Sequence, residues 1–478
     1  MQPTMRWGLL FLAAVCIARL WLMPLGSSFW VDEMATIFVV EHGANDPSLN
    51  IAPQVPQSVY YAAVRATNPG RSEIAYRLPS IFFMAVALWF VALLAAKLIH
   101  PDAGWFAFFA ALALKNINYE AANARPYAMG MCAAAAALYF LVRFLDERRW
   151  HDAALFVVFA ALLWRVHLIF LPFYAVLGLC ALARRNGVAL WKLALLFGAV
   201  GLLLIPVAIN AMHLNDQAKE HVVTVQPVSK DFLYSLRLTL VVGAALGAWV
   251  LSKFARPRAV VASVAIPAVA WWLAQPVALF AYSRLTGNSV FVPRYLTLSL
   301  PGTALAATLA ASLFLPARFW KPAALIMGIC ALIFVGQWKK LWPDHHNSDW
   351  RAAAEAVNKL ALPSSVPVIC PSPFIEARPP EWKPDYHMPG FLYAHLLVYP
   401  VRGNVVLFPF ADSPEADDYA TALAQGAIPA AGRFVIYGGN RVTHFWRNWF
   451  EKRPELAGWT HRELGQFLDV HAVLFEHP

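Results

Sequence analysis

Runs of roughly twenty apolar residues, separated by short polar connections, recur along most of this chain, and a helix needs about that length to cross a bilayer. Candidate spans lie near residues 7–25, 78–99, 104–118, 127–145, 153–165, 167–183, 190–209, 236–252, 259–281, 296–315 and 322–338. The expected architecture is a polytopic α-helical membrane protein with about 11 transmembrane helices. Composition agrees: 60% of the 478 residues are hydrophobic and only 14% charged, against about a quarter charged in a soluble domain.

The formal charge of +10 raises the question of nucleic acid, but its distribution answers otherwise. Basic residues cluster in every second connection: Arg148 and Arg149; Arg184 and Arg185; Lys253, Arg256 and Arg258; Arg318 and Lys321. That is the positive-inside pattern. It predicts a multi-pass protein of the inner (plasma) membrane, with a cytoplasmic N-terminus and everything after about residue 340 on the periplasmic or extracellular side. Contact with anionic lipid is a further use for such clusters, and nucleic acid is not expected as a partner. The stretch Trp7–Leu25 also has the length of a signal peptide. Arg19 within it, and the acidic residues just beyond, favour a retained span.

Two outer connections exceed ordinary turns, 27–77 and 210–237, and long loops in compact proteins are often lids or binding loops. The first holds Asp32, Glu33, Glu73 and Arg77, with a short helix expected over Ser58–Ala66. The second holds Asp216, Lys219, Glu220, His221 and Lys230. Residues 1–341 therefore read as a membrane domain. After it, Asp349 is placed to cap a helix running to Leu360. Short β-rich runs follow at Val366–Cys370, Asn404–Phe408, Arg433–Tyr437 and Val470–Phe475, with a helical pattern at Thr443–Lys452. The expectation is a soluble α/β domain over residues 342–478. Cys370 stands alone there, so no intrachain disulfide framework is expected.

Several outer-side turns carry residues suited to chemistry. Asp32 and Glu33 follow the first span, and adjacent carboxylates at an apolar boundary need water, a partner or a cavity. Asp32 is either a general base for an acceptor hydroxyl or a solvated acid that ends a helix. Arg125 precedes Pro126 and Tyr127 at the outer start of the fourth span. A guanidinium suits phosphate because it stays charged and donates in a fixed fork, although a snorkelling Arg paired with Glu120 has the same pattern. Arg294 and Tyr295 repeat the combination at the tenth span, Arg77 opens the second, and His167 sits at another outer turn, where a lone His is more often structural. His345, His346 and Asp349 are a weak metal signal, since adjacent His seldom share an ion. No ligand set is assembled from these spacings, so a divalent metal is possible but unsupported. The chain lacks a P-loop and a Gly-rich dinucleotide turn, so nothing supports a nucleotide cofactor.

At Trp30-Val31-Asp32-Glu33, Tyr76-Arg77-Leu78-Pro79-Ser80, Ala124-Arg125-Pro126-Tyr127, His167 and Pro293-Arg294-Tyr295 the chain resembles a group of bacterial membrane glycosyltransferases. These are related to protein O-mannosyltransferases and lipid A aminoarabinose transferases, and share the fold called GT-C. The resemblance covers roughly residues 1–340. It implies a polyprenyl-phosphate sugar donor, a site at the outer face, and inverting transfer to a hydroxyl of an envelope lipid, glycan or protein. It makes Asp32 the base with Glu33 beside it, Arg125 and Arg294 phosphate contacts, and Tyr127 and Tyr295 lining residues, with Arg77 and His167 among the matched substrate positions. One departure stands out: Ala52-Pro53-Gln54-Val55-Pro56 occupies the region where many relatives carry paired prolines. A flippase for a lipid-linked saccharide, a polymerase or ligase using lipid-diphosphate oligosaccharides, and a non-catalytic glycan or lipid binder are the alternatives.

Overall fold

The computed structural model describes residues 3–70, 72–221, 225–384 and 390–478, without the side chains of 3, 4 and 215–221. Asp216, Lys219, Glu220 and His221 of the second long connection therefore lie outside the described side chains. The chain forms two compact units. One comprises Met1–Leu25, Gln57–Thr67 and Tyr76–Pro343; the other comprises Gly26–Pro56, Asn68–Ala75 and Asp344–Pro478.

The first unit is helical, and each of the apolar runs falls in helical segments. By length and composition, six helices among the described residues can cross a membrane: Met5–Gly26, Glu73–Leu98, Tyr127–Glu147, Leu190–Leu214, Ala262–Thr286 and Ala317–Val335. The pair Ser229–Ser235 and Leu238–Leu251, bent by 48°, makes a seventh if counted as one span. The bend falls at Arg237, whose φ of 49° is left-handed and cannot continue a helix. The expected number of about eleven is therefore larger than the number of long helices. The expected span 104–118 shows why: it is divided into Gly104–Leu112 and Lys115–Ala121. The Asn118 amide donates to the carbonyls of Leu112 and Leu114, satisfying groups that the break exposes, and accepts from Trp21 Nε1 at 2.9 Å.

Arg19 explains the polar residue in the first span. It is buried, lies over the Trp338 ring, and donates to the carbonyls of Gly336, Gln337, Lys340 and Leu341 at 2.7–3.0 Å. These include groups that the end of the helix Trp320–Val335 leaves without intrahelical partners. Between the same helices a close approach requires Gly328. A Cβ there would lie 2.6 Å from Leu12 and 2.8 Å from Phe109.

The second unit is built on a five-stranded sheet: β1 (Pro367–Pro371), β2 (Asn404–Phe408), β3 (Arg433–Gly439), β4 (Thr460–Phe467) and β5 (Val470–Glu476), in the order β2-β1-β3-β5-β4. The first three pair in parallel; β5 pairs antiparallel with β3 and β4. β1, between β2 and β3, is buried along its whole length, as an apolar strand with two parallel neighbours should be. Asp349 caps the helix Trp350–Asn358 by accepting from the Ala352 amide at 3.0 Å. Ser413 does the same for Pro414–Gln425, and Asn440–Glu451 packs its Trp446 edge-on to Phe408 at 4.7 Å. The helix Val31–His42 belongs to this unit. Its Phe38 meets Phe391 at 5.7 Å, and Ser48 Oγ accepts from the Phe391 amide at 3.1 Å.

Candidate functional site

In the helical unit, three of the sequence candidates come together. His167 ends the helix Trp150–Val166; Tyr127 begins Tyr127–Glu147; Tyr295 lies in the 3-10 turn Pro293–Ser299. The His167 ring stacks on Tyr127 at 5.6 Å and 25°, and meets Tyr295 edge-on at 5.6 Å. His167 Nδ1 accepts from the Ile169 amide at 3.3 Å, which leaves the ring proton of the neutral imidazole on Nε2. Buried Gln275 ties the two turns together, donating to the carbonyls of Ile169 at 2.8 Å and Tyr295 at 3.0 Å.

Cations surround this cluster. Arg294 is exposed, with its guanidinium 5.5 Å from the Tyr295 ring centroid. Arg125 is part-buried, and both arginines lie near enough to act electrostatically on His167. The turn carrying Arg125 is held from behind: Tyr60 bonds Ser80 at 2.8 Å, and Ser80 donates to the Arg125 carbonyl. Nearby Glu120 accepts from Asn123 at 2.9 Å. Arg77 is fully buried and donates to the Leu25 carbonyl at 2.7 Å, a setting that suits organising the backbone more than meeting a ligand.

The acids belong to the sheet unit. Asp32 occupies the second position of Val31–His42 and Glu33 the third, where the helix dipole favours negative charge. Glu33 is buried and accepts from the Trp30 amide at 3.3 Å, the return half of a capping box. Glu33 thus closes the helix start, whereas Asp32 is half-buried with its side chain one position earlier.

Tyr399 and Arg351, which carry no sequence signal of function, stand near this motif. Tyr399 accepts from the Phe29 amide at 2.9 Å and donates to Glu73 Oε1 at 3.0 Å. Burial pushes its phenol above the ordinary range, so it remains a donor. Arg351 Nη1 pairs with the same Glu73 oxygen at 2.8 Å. His346, considered from sequence as a metal ligand, sits with Nε2 2.6 Å from the Ser28 carbonyl, while Asp349 caps a helix. Among the described residues no three His, Cys, Asp or Glu side chains gather as a ligand set.

Residues 57–212 match the sequence model of the family described as dolichyl-phosphate-mannose-protein mannosyltransferase. Comparison with curated proteins gives no match. Among solved structures, the chain is similar to the crystal structure of ArnT from Cupriavidus metallidurans in the apo state. The identity is 12% and the TM-score 0.55, over 97% of each chain. The same protein bound to undecaprenyl phosphate gives 11% identity and a TM-score of 0.56, again over 97% of each chain. The chain is a polytopic helical membrane protein with the GT-C-type fold and a C-terminal sheet.

Proposed function

We propose that this protein is a membrane glycosyltransferase that moves a sugar from a polyprenyl-phosphate donor to a hydroxyl group of an envelope acceptor, with inversion. The observation that carries the proposal is the meeting of Tyr127, His167 and Tyr295 with Arg125 and Arg294 around them. Aromatic faces beside fixed guanidinium groups suit a sugar phosphate: the rings cover the sugar, and the guanidinium groups hold phosphate oxygens. The match to a mannosyltransferase family and the likeness to a structure bound to undecaprenyl phosphate support the same assignment.

In the proposed reaction Asp32 takes the proton of the acceptor hydroxyl as its oxygen bonds to the anomeric carbon. The bond from that carbon to the donor phosphate breaks on the opposite side. Polyprenyl phosphate leaves with one more negative charge, which Arg125 and Arg294 stabilise. Glu33 holds the start of the helix that carries Asp32, and Arg77 holds the chain at Leu25. The alternating basic connections support an inner-membrane protein with a cytoplasmic N-terminus, its sheet unit on the periplasmic or extracellular side.

Purified protein in lipid, supplied with radiolabelled polyprenyl-phosphate sugars and an envelope extract, tests this directly. Wild type transfers label, and Asp32→Asn binds donor but transfers at least about 100-fold more slowly. Unchanged transfer by Asp32→Asn removes Asp32 as the base. A wild type that leaves every donor intact while moving it between vesicle leaflets is a flippase.

A further inference from the structure

Gly26, Ser27, Ser28 and Phe29, which precede the N-cap Trp30 of the acid-bearing helix, are each fastened by the C-terminal part of the sheet unit. The Gly26 carbonyl accepts from Arg351 Nη2 at 3.0 Å, and Ser27 Oγ from the His345 amide at 3.1 Å. The Ser28 carbonyl bonds His346 Nε2 at 2.6 Å, while Ser28 Oγ accepts from the Arg351 amide at 3.3 Å. The Phe29 amide donates to Tyr399. His346 Nδ1 accepts from the Ser348 amide at 3.2 Å, which assigns the donor hydrogen to Nε2. The same Nε2 lies 3.9 Å from Glu33 Oε2, and the His346 ring is 6.3 Å from that of Trp30.

This clasp has its own footing in the sheet. Asn347 accepts from the Asp469 amide at 2.6 Å, the Asp349 amide donates to the Phe467 carbonyl at 3.2 Å, and Ser348 bridges Leu468. Phe467 ends β4, and Leu468 and Asp469 form its turn into β5. A continuous hydrogen-bonded path therefore runs from the hairpin, by backbone bonds to residues 347–349, and then through bonds involving the side chains of His346, Arg351, Ser27 and Ser28 to residues 26–28, just ahead of the helix that carries Asp32.

We propose that the C-terminal sheet acts as the rigid mount of the acid motif, with His346 the positioning residue that transmits its geometry to Asp32. The proposal rests on Asp32 being the base. A reaction that depends on a carboxylate within hydrogen-bond reach of a hydroxyl is sensitive to small displacements, since an error of about 1 Å can cost on the order of 100-fold in rate. His346 touches no reacting atom in this scheme. It fixes the Ser28 carbonyl, and so the direction in which the helix starts.

The test compares full-length wild type, His346→Ala, His346→Gln and Asp32→Asn in lipid. It uses two readouts: hydrogen exchange of residues 26–34, and the separate kcat and KM for a labelled polyprenyl-phosphate sugar. His346→Ala speeds exchange across 26–34 and lowers kcat roughly 10- to 100-fold with KM for donor unchanged. His346→Gln, whose amide nitrogen still reaches Ser28, recovers most of both. Unchanged exchange in His346→Ala overturns the mount. So does faster exchange with wild-type kcat, or a loss in His346→Gln as large as in His346→Ala. If Asp32→Asn keeps wild-type turnover, the base assignment fails by itself, and the exchange data still decide whether His346 holds the motif.

Discussion

Tyr399 donates its phenolic hydrogen to Glu73 Oε1 at 3.0 Å, joining residues 326 positions apart in the sequence. The phenolic oxygen of Tyr399 accepts from the Phe29 amide, so one hydroxyl serves two segments of the sheet unit. Tyr399→Phe leaves both groups without that partner. Losing hydrogen bonds of this kind costs about 1–3 kcal/mol. The expected outcome is a lower melting temperature with the apolar core intact, read by thermal unfolding in detergent alongside near-ultraviolet circular dichroism.

His395 supplies a pH dependence with a definite sign. It is fully buried beside Trp350, at 4.8 Å, and neither ring nitrogen has a hydrogen-bond partner among the described residues. Burial pushes it down to about 3 from an ordinary value of 6.5. Between those values the unfolded chain holds the proton and the folded chain does not. The stability is thus complete above pH 6.5 and is lost as pH falls toward 3, by up to about 1.4 kcal/mol per pH unit. Denaturant unfolding at a series of pH values checks this, and His395→Phe flattens the slope.

Gly130 faces the Phe170 ring so closely that any Cβ would collide with it. Phe170 in turn lies 5.4 Å from His167. Gly130→Ala therefore displaces Phe170, a neighbour of the aromatic cluster, at a cost of about 1–3 kcal/mol. Donor KM should rise, and Phe170→Leu in the same chain should recover both stability and KM.

Arg294 tests the phosphate role. Replacement by Ala removes a charge-assisted contact of about 1.5–3 kcal/mol, weakening binding of polyprenyl phosphate roughly 10- to 150-fold. Arg294→Lys keeps the charge but loses the fork, and should recover only part of the affinity. Calorimetric titration with the sugar-free lipid phosphate separates these cases, and equal affinity in all three proteins would remove Arg294 from the donor site.

Legibility in the sequence followed the range of the interactions concerned. Apolar runs and the Asp349 cap are local: the runs fall in helices and the cap sits where its residue indicates, while the breaks that leave six long helices among the described residues are not marked in the sequence. β4 escaped notice because it is an exposed edge strand with an irregularity between Glu463 and Gly465, so no alternation marks it. The boundary drawn near residue 342 reflects a change in composition. The compact units follow contacts instead, and place Gly26–Pro56 with Asp344–Pro478. Nothing near Ser28 in the chain points to His346, because their bond spans 318 positions. Glu33 and Asp32 look alike as neighbouring acids, yet the third position of a helix start makes the former a cap.

The order of synthesis gives the clasp a further meaning. Phe29 emerges from the ribosome 370 residues ahead of the tyrosine that accepts its amide proton. At ordinary elongation rates of about 5–20 residues per second, that gap lasts roughly 20–70 s. Throughout it the acids have left the ribosome while their fastening is still being translated, and the hairpin that supports it, over Thr460–Glu476, is made later still. The helix is thus set long after it is made, and a nascent chain holds its acid pair unmounted until β4 and β5 have folded.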